Sequence, residues 1–241
     1  MWKLLGGLLT SGLVLVWGSM AQADDTANAI IQNAIKAHGG AANLAKLTVR
    51  HEISKVTRES GTQFTNTRVA WVHLPDRIKT TSEGEFKGQP YKSISVIDGD
   101  KSWSSTNGRT KEYTEEQLKE LKDRLHEDNV LTLVPLLTDK GLNLSPLGEV
   151  KVSDRPALGV KVSAKDHLDI DLYFDKETAL LVKSGRGNWE HLYSNYKKTD
   201  GLNWAMKMVD YNREDGKQVR ATEITELRFL DKIDDSEFTK P

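Results

Sequence analysis

The sequence predicts a mainly β protein with a few helices (α+β), its sheet antiparallel. Three observations carry that prediction. Strand-like segments return at intervals of roughly 10 residues with no helices between them, which is the pattern of a meander. The breaks between them are turn chemistry, with Gly or Asn where positive φ is needed: Ser60-Gly61, Asp98-Gly99-Asp100, Asn107-Gly108 and Asp215-Gly216. Alternation is legible in two segments, where Leu158, Val160 and Val162 share one face, as do Leu168, Ile170, Leu172 and Phe174, with Lys161, Asp169 and Asp171 on the opposite faces. Such a sheet has one dry side and one wet side.

Taken in order, the chain opens with Lys3, an uncharged apolar run from Leu4 to Trp17, and Ala21-Gln22-Ala23. This is the make-up of a secretory signal peptide over 1–23, so residues 24–241 are expected as one exported, periplasmic or otherwise extracytoplasmic domain. A retained membrane anchor is the alternative, since about 18 apolar residues begin to span a bilayer; the glycines, Ser19 and the Ala-Gln-Ala exit favour cleavage. Asp24, Asp25 or Thr26 can cap a first helix with Ile30, Ile31, Ala34 and Ile35 on one face, closed by His38-Gly39-Gly40 and followed by a short helical turn over Ala41 to Leu47. Strands are predicted at Val49 to Arg58, Thr65 to Leu74, Arg77 to Glu83, Tyr91 to Ile97 and Lys101 to Ser104.

The β pattern is interrupted once. Thr114-Glu115-Glu116-Gln117 is a capping-box sequence opening a helix with Leu118, Leu121 and Leu125 on one face and lysines, glutamates and Arg124 on the other. After the polar His126 to Asn129 comes the most apolar stretch of the domain, Val130 to Leu137, which must be buried. Strands resume at Glu149 to Ser153, Ala157 to Ala164, His167 to Phe174, Ala179 to Arg186, Leu192 to Lys198, Trp204 to Tyr211 and Gln218 to Phe229.

Composition excludes several classes. There is no cysteine, hence no disulfide, thiolate metal site, thiol nucleophile or acylated N-terminal cysteine, and the domain is expected free in solution as a monomer with only transient membrane contact. With Lys3 gone in the leader the net charge is near −2, and Lys and Arg alternate with Asp and Glu throughout, so no basic face is available for nucleic acid. No G-x-S-x-G elbow and no H-E-x-x-H helix occur. Ser184-Gly185-Arg186-Gly187 lacks the Lys-Ser/Thr ending of a phosphate loop and reads as a bulge or turn. His167, Asp169 and Asp171 alternate along a strand and would offer one nitrogen and two carboxylates to a metal; the polar face of a half-buried strand explains them equally. Neither cofactor, metal nor catalytic group is expected.

Several short motifs recur in an order that resembles a known family. They are Ala37-His38-Gly39-Gly40, Leu74-Pro75-Asp76-Arg77, Asp98-Gly99 ahead of Trp103, Tyr173-Phe174-Asp175-Lys176-Glu177-Thr178, Tyr196 with Asp200-Gly201, and Phe238 near Pro241. Together they resemble the LolA-like superfamily of lipoprotein localisation factors and, more narrowly, outer membrane lipoprotein-sorting proteins. The resemblance implies a strongly curved, half-open β-barrel closed by a helical lid, whose concavity takes up lipid or lipoprotein acyl chains without catalysis. Leu118, Leu121, Leu125, Leu131, Leu133, Val134 and Leu137 are then the candidate lid. Val160, Ile170 and Leu172 are candidate cavity wall, with Trp71, Trp103 and Trp204 at the mouth. The same apolar residues also fit a filled core. An envelope sensor or interaction module holding a protein partner on this fold is the alternative function.

Overall fold

The structure, a computed structural model, describes residues 18–60 and 62–241. The expected leader therefore lies for the most part outside the described residues. A helix, α1 (Gly18–Ala37), is followed by a short α2 (Ala41–Leu44) and then by β1 (Val49–Ser60), β2 (Thr62–His73), β3 (Arg77–Phe86), β4 (Gln89–Asp98), β5 (Lys101–Thr106) and β6 (Arg109–Glu112). Two helices, α3 (Glu115–Val130) and α4 (Pro135–Thr138), lead to β7 (Leu142–Val152), β8 (Arg155–Ala164), β9 (Ile170–Asp175), β10 (Leu181–Arg186), β11 (Trp189–Thr199), β12 (Leu202–Asn212) and β13 (Gln218–Phe229).

All thirteen strands join one antiparallel sheet in the order β6-β5-β4-β3-β2-β1-β13-β12-β11-β10-β9-β8-β7. Two meanders, β1 to β6 and β7 to β13, are thus fused through the pairing of β1 with β13, and the sheet stays open at β6 and β7. This is the half-open barrel with helical cover that the sequence led us to expect. The chain passes from one open edge to the other through α3 and α4, so the inner face is necessarily covered there.

Several boundaries differ from expectation, among them the start of α1 at Gly18 and not at a cap on Asp24, Asp25 or Thr26, and four of the differences have a local reason. Strand β6 carries only exposed polar residues, so it has no apolar alternation to announce it. Strand β7 begins at Leu142, well before Glu149, because a bulge between Pro146 and Gly148 breaks its period. Strand β9 begins at Ile170, which leaves His167 and Leu168 ahead of it and Leu168 45% exposed. Helix α3 runs straight through the polar His126 to Asn129, and its capping box forms as predicted: the Gln117 backbone N–H donates to Thr114 Oγ1 (3.3 Å) and the Thr114 N–H to Gln117 Oε1 (3.1 Å).

The two faces of the sheet bury different things. On the inner face, Ala27, Ile31 and Ala34 of α1 and Val130, Leu133 and Leu136 pack on Val160, Val162, Ile170, Leu172 and Phe174. Beside this main core, Leu118, Leu121 and Leu125 of α3 pack on Ala70, Val72, Ile78 and Ile97. On the outer face, Val96 is covered by Ile233 and Phe238 of the C-terminal tail, with Trp71, Ile94 and Trp103 packed against them. The tail is also fastened by charge, since Arg77 pairs with Asp235 (2.8 Å), Lys79 pairs with Glu237 (2.7 Å) and the Arg77 guanidinium lies 4.2 Å from the Phe238 ring.

The motifs behind the resemblance turn out to be fasteners. The His38 carbonyl accepts from Asn203 N–H (3.0 Å) and the Ala37 carbonyl from Asn203 Nδ2 (2.7 Å), bringing α1 against the β11–β12 turn. A Cβ on Gly39 would meet the Gly201 carbonyl oxygen at 2.1 Å, which is why the backbones approach there through glycine. Asp175 closes the β9–β10 turn by accepting from the Glu177 N–H (3.1 Å) and Thr178 N–H (2.8 Å).

Candidate binding cavity

A cavity of about 360 Å³ lies between α3 and the middle of the sheet. Its floor follows from strand register. Arg58 on β1 stands opposite Arg220 on β13, which stands opposite Asp210 on β12, which stands opposite His191 on β11. Two residues along the strands, Val56, Thr222, Met208 and Tyr193 form the next row. Arg68 on β2 is opposite Ser54, itself opposite Ile224. Further along, the lining is Val72, Ile78, Leu131, Leu181, Tyr196 and Trp204, with the charged Arg50 and Glu52 opposite Val72 and Ala70.

The roof is a stripe of α3. Glu120, Arg124 and Glu127, with Leu131 just past the helix, recur at steps of four, three and four residues and so fall on one helix face. The sequence sets glutamates and Arg124 opposite the leucine face; in the structure this stripe faces the cavity, with Glu127 buried and Glu120 at the exposed rim. Glu127 is 4% exposed and accepts from Arg186 Nε (3.0 Å) and Ser184 Oγ (3.1 Å), while Arg186 Nη2 also donates to Glu120 (3.1 Å). Arg186, from the glycine-rich run read as a bulge or turn, is thus part of strand β10 and anchors the roof to the floor. One turn earlier, Asp123 Oδ1 sits 2.9 Å from His167 Nδ1, and His167 stacks on His126 with ring centroids 4.0 Å apart. His167 is spoken for by α3 and is not in a strand with Asp169 and Asp171.

Charge is concentrated in the cavity. Six arginines line it, at 50, 58, 68, 124, 186 and 220, against Glu52, Glu120, Glu127, Asp128 and Asp210. Burial would raise the Asp210 pKa, but the hydrogen bond with His191 (2.8 Å) and the charge of Arg220, which also donates to Asp210, hold it below the usual carboxylate value. Burial pulls Arg68 down to about 10; Glu52 opposes this, while Arg124 and Arg220 repel it. Arg220 is lowered in the same sense, by burial and by Arg124 and Arg58, against the pull of Asp210. At the other end burial pushes the Tyr193 and Tyr196 hydroxyls up and His38 down, so these groups are neutral near pH 7. His38 Nε2 accepts from the Leu181 N–H (3.5 Å) while Nδ1 donates to the Ala34 carbonyl (2.8 Å).

The residues proposed from sequence are distributed as follows. Leu131 lines the cavity, and Trp204 does too. Leu121 and Leu125 line a neighbouring pocket of about 30 Å³ and, with Leu118, belong to the packed contact between α3 and β2–β4. Leu133, Val160, Ile170 and Leu172 are fully buried in the main core with Val134 against them, and Leu137 is 41% exposed. Trp71 and Trp103 are on the outer face under the C-terminal tail, because side chains alternate along a strand and their neighbours Val72 and Ser102 point inward. The arginines and carboxylates of the cavity escaped the sequence reading. Their signal was nonetheless present, as the α3 stripe and as Arg50, Glu52 and Arg58 sharing the β1 face with buried Val56.

No protein-family model matches the chain and no curated protein matches it. Solved structures do. A LolA superfamily protein from Nitrosomonas europaea superposes with a TM-score of 0.61 at 9% identity, covering 89% of this chain and 97% of that one. A DUF1329 family protein from Desulfovibrio piger gives 0.60 at 12% identity, covering 88% and 97%. A structure described as an outer membrane lipoprotein-sorting protein domain from Vibrio parahaemolyticus gives 0.56 at 13% identity, covering 89% and 97%. The fold is LolA-like.

Proposed function

We propose that this protein is a non-enzymatic carrier of the cell envelope that shields an acyl chain, of a lipoprotein or of a free lipid, in its central cavity. One observation carries the proposal: the space of about 360 Å³ that the protein's own side chains leave between α3 and the sheet. That volume falls within the ~300–1,000 Å³ of ordinary ligand pockets. Its deep end is apolar on the β10–β12 side, at Leu181 and Trp204, and burying ten methylenes there is worth roughly 8 kcal/mol at ~0.8 kcal/mol each, enough for retention without a catalytic or covalent step. The LolA-like fold and the leader-like residues 1–23 support an extracytoplasmic setting, and among the described residues no helix is long and apolar enough to cross a membrane.

Native mass spectrometry of protein gently extracted from its own envelope tests this. A bound lipid mass, lost on delipidation and regained from added lipid, is the expected result. Protein that carries no lipid and takes none up would end the carrier proposal. Replacing Leu131 with Asp places a charge at the edge of the main core and in the cavity lining and should lower lipid retention measured well below the variant's own melting transition, whereas Trp71→Ala, on the outer face, should leave retention intact.

A further inference from the structure

We infer that the cavity is built for an anionic amphiphile, a phosphate- or carboxylate-headed molecule whose single apolar tail enters first and whose head is held by Arg58, Arg68, Arg124 and Arg220. This deepens the carrier proposal and rests on it.

The polarity of the cavity runs along the strands. At one end the register sets Arg58 opposite Arg220, and Arg58 is exposed, so this end opens to solvent. At the other end the lining stops at buried Leu181 and His38, the latter neutral and engaged with Ala34 and Leu181. Between them lie Met208, Ile224 and Trp204, with the buried Arg50–Glu52 pair level with Val72 and Ala70 on the β1–β2 side. A mouth with unpaired charge and a blind end that is apolar on its β10–β12 side, at Leu181 and Trp204, match a molecule with the same division.

The charge at the mouth is not internally satisfied. Asp210 is taken by Arg220 and His191, and Glu127 and Glu120 are taken by Arg186. Glu52 is the carboxylate nearest to Arg68, at 3.5 Å, and it is shared with Arg50 at 3.9 Å. Among the described residues the side chains of Arg58 and Arg124 form no ion pair and no hydrogen bond; Asp128, one turn along α3 from Arg124, is the remaining counter-charge. One further donor is orphaned in the lining, since Arg186 Nη1 is buried without an acceptor. Buried donors without acceptors are costly, and like charges placed together repel. A doubly charged oxyanion would relieve both, because guanidinium groups grip phosphate and carboxylate through paired N–H···O bonds. The mutual depression of Arg68 and Arg220 by Arg124 agrees with an excess of cation at this end.

The test uses three probes on the delipidated full chain: 1-lauroyl-lysophosphatidate, monolaurin, which differs by lacking the phosphate, and glycerol 3-phosphate, the head without the tail. Titrations below the micellar range are followed by calorimetry and by fluorescence, since Trp189 and Trp204 line the cavity. In ~0.1 M salt the lysophosphatidate should bind about tenfold more tightly than monolaurin, and glycerol 3-phosphate far more weakly than either acyl ligand. The double substitution Arg58→Gln, Arg124→Gln should erase most of that preference, whereas Lys122→Gln, on α3 but outside the lining, should keep it. Equal binding of lysophosphatidate and monolaurin would overturn the head-group assignment and leave the carrier proposal standing. Glycerol 3-phosphate binding as tightly as lysophosphatidate would also overturn it, since the site would then serve a small anion. If no acyl ligand binds, both proposals fall together.

Discussion

The inner face of the sheet has two regions that share one curvature and behave oppositely. Over β7 to β9 the helices α1 and α4, with Leu133 between α3 and α4, pack against Ile170, Leu172 and Phe174 in the main core. Over β1 and β11 to β13, α3 lies above arginines, carboxylates and aromatic hydroxyls, and a cavity remains. Apolar side chains of ordinary shape interdigitate to near-crystalline density and eliminate voids. Charged side chains must keep partners and geometry, so they hold surfaces apart. In this molecule the open space is marked by its polar residues, and the most regular apolar periodicity marks the part that is full.

The comparison can be broken or sharpened by substitution. The largest effect is expected in the filled region, where Phe174→Ala should cost about 4 kcal/mol of unfolding free energy through the cavity it leaves, read from urea titration. A cost below about 1 kcal/mol would mean that this region is loosely packed and the contrast false. Next comes the anchor of the roof. Glu127→Ala removes the buried partner of Arg186 and leaves it only the exposed Glu120, which should cost about 3 kcal/mol. It should also speed hydrogen exchange in α3 more than in β9, and uniform exchange across both would show that α3 is not a separately attached roof.

A smaller effect is expected from pH. Burial and the neighbouring His167 hold His126 down at about 4, against an ordinary value of 6.5, with Asp123 and Asp139 opposing and Arg186 reinforcing. A histidine lowered in the folded state is neutral there, so the unfolded chain binds more protons between these values. The stabilisation is complete above about pH 6.5 and is lost as pH falls toward 4. Buried His38 acts in the same direction. Urea midpoints at pH 7 and pH 5 should therefore differ, and His126→Gln should shrink the difference; an unchanged difference would remove His126 from the account. The smallest effect is expected at the mouth. Arg124→Gln breaks no pair and relieves repulsion on Arg68 and Arg220, so unfolding free energy should stay within about 0.5 kcal/mol of the parent or rise slightly. A residue whose loss costs the fold nothing while changing ligand preference is what a binding role predicts.

Much of the fold was legible before any coordinates. Turn dipeptides and period-two alternation located twelve of the thirteen strands, and the capping box at Thr114 set the start of α3 to the residue. The missed strand, β6, has no buried residue to leave a period, and the late start assigned to β7 reflects a bulge that shifts it. For the site the balance is reversed. Of the proposed lining only Leu131, together with Trp204, meets the cavity, because apolar periodicity says that a residue is buried and not what buries it. Trp71 and Trp103 lie on the outer face and not at the mouth, since Ile233 and Phe238, which cover that face, are at least 130 residues away in the chain.

By itself the amino-acid sequence determined the antiparallel meander, the cysteine-free and evenly charged composition, and the helical interruption, since these depend on local backbone preference and on the alternation of apolar and polar side chains. Only the tertiary structure decided that Arg58, Arg68, Arg124 and Arg220, from three strands and a helix, face one space. Their meeting depends on strand register and on the direction in which α3 crosses the sheet, and long-range pairing of that kind leaves no period in the chain.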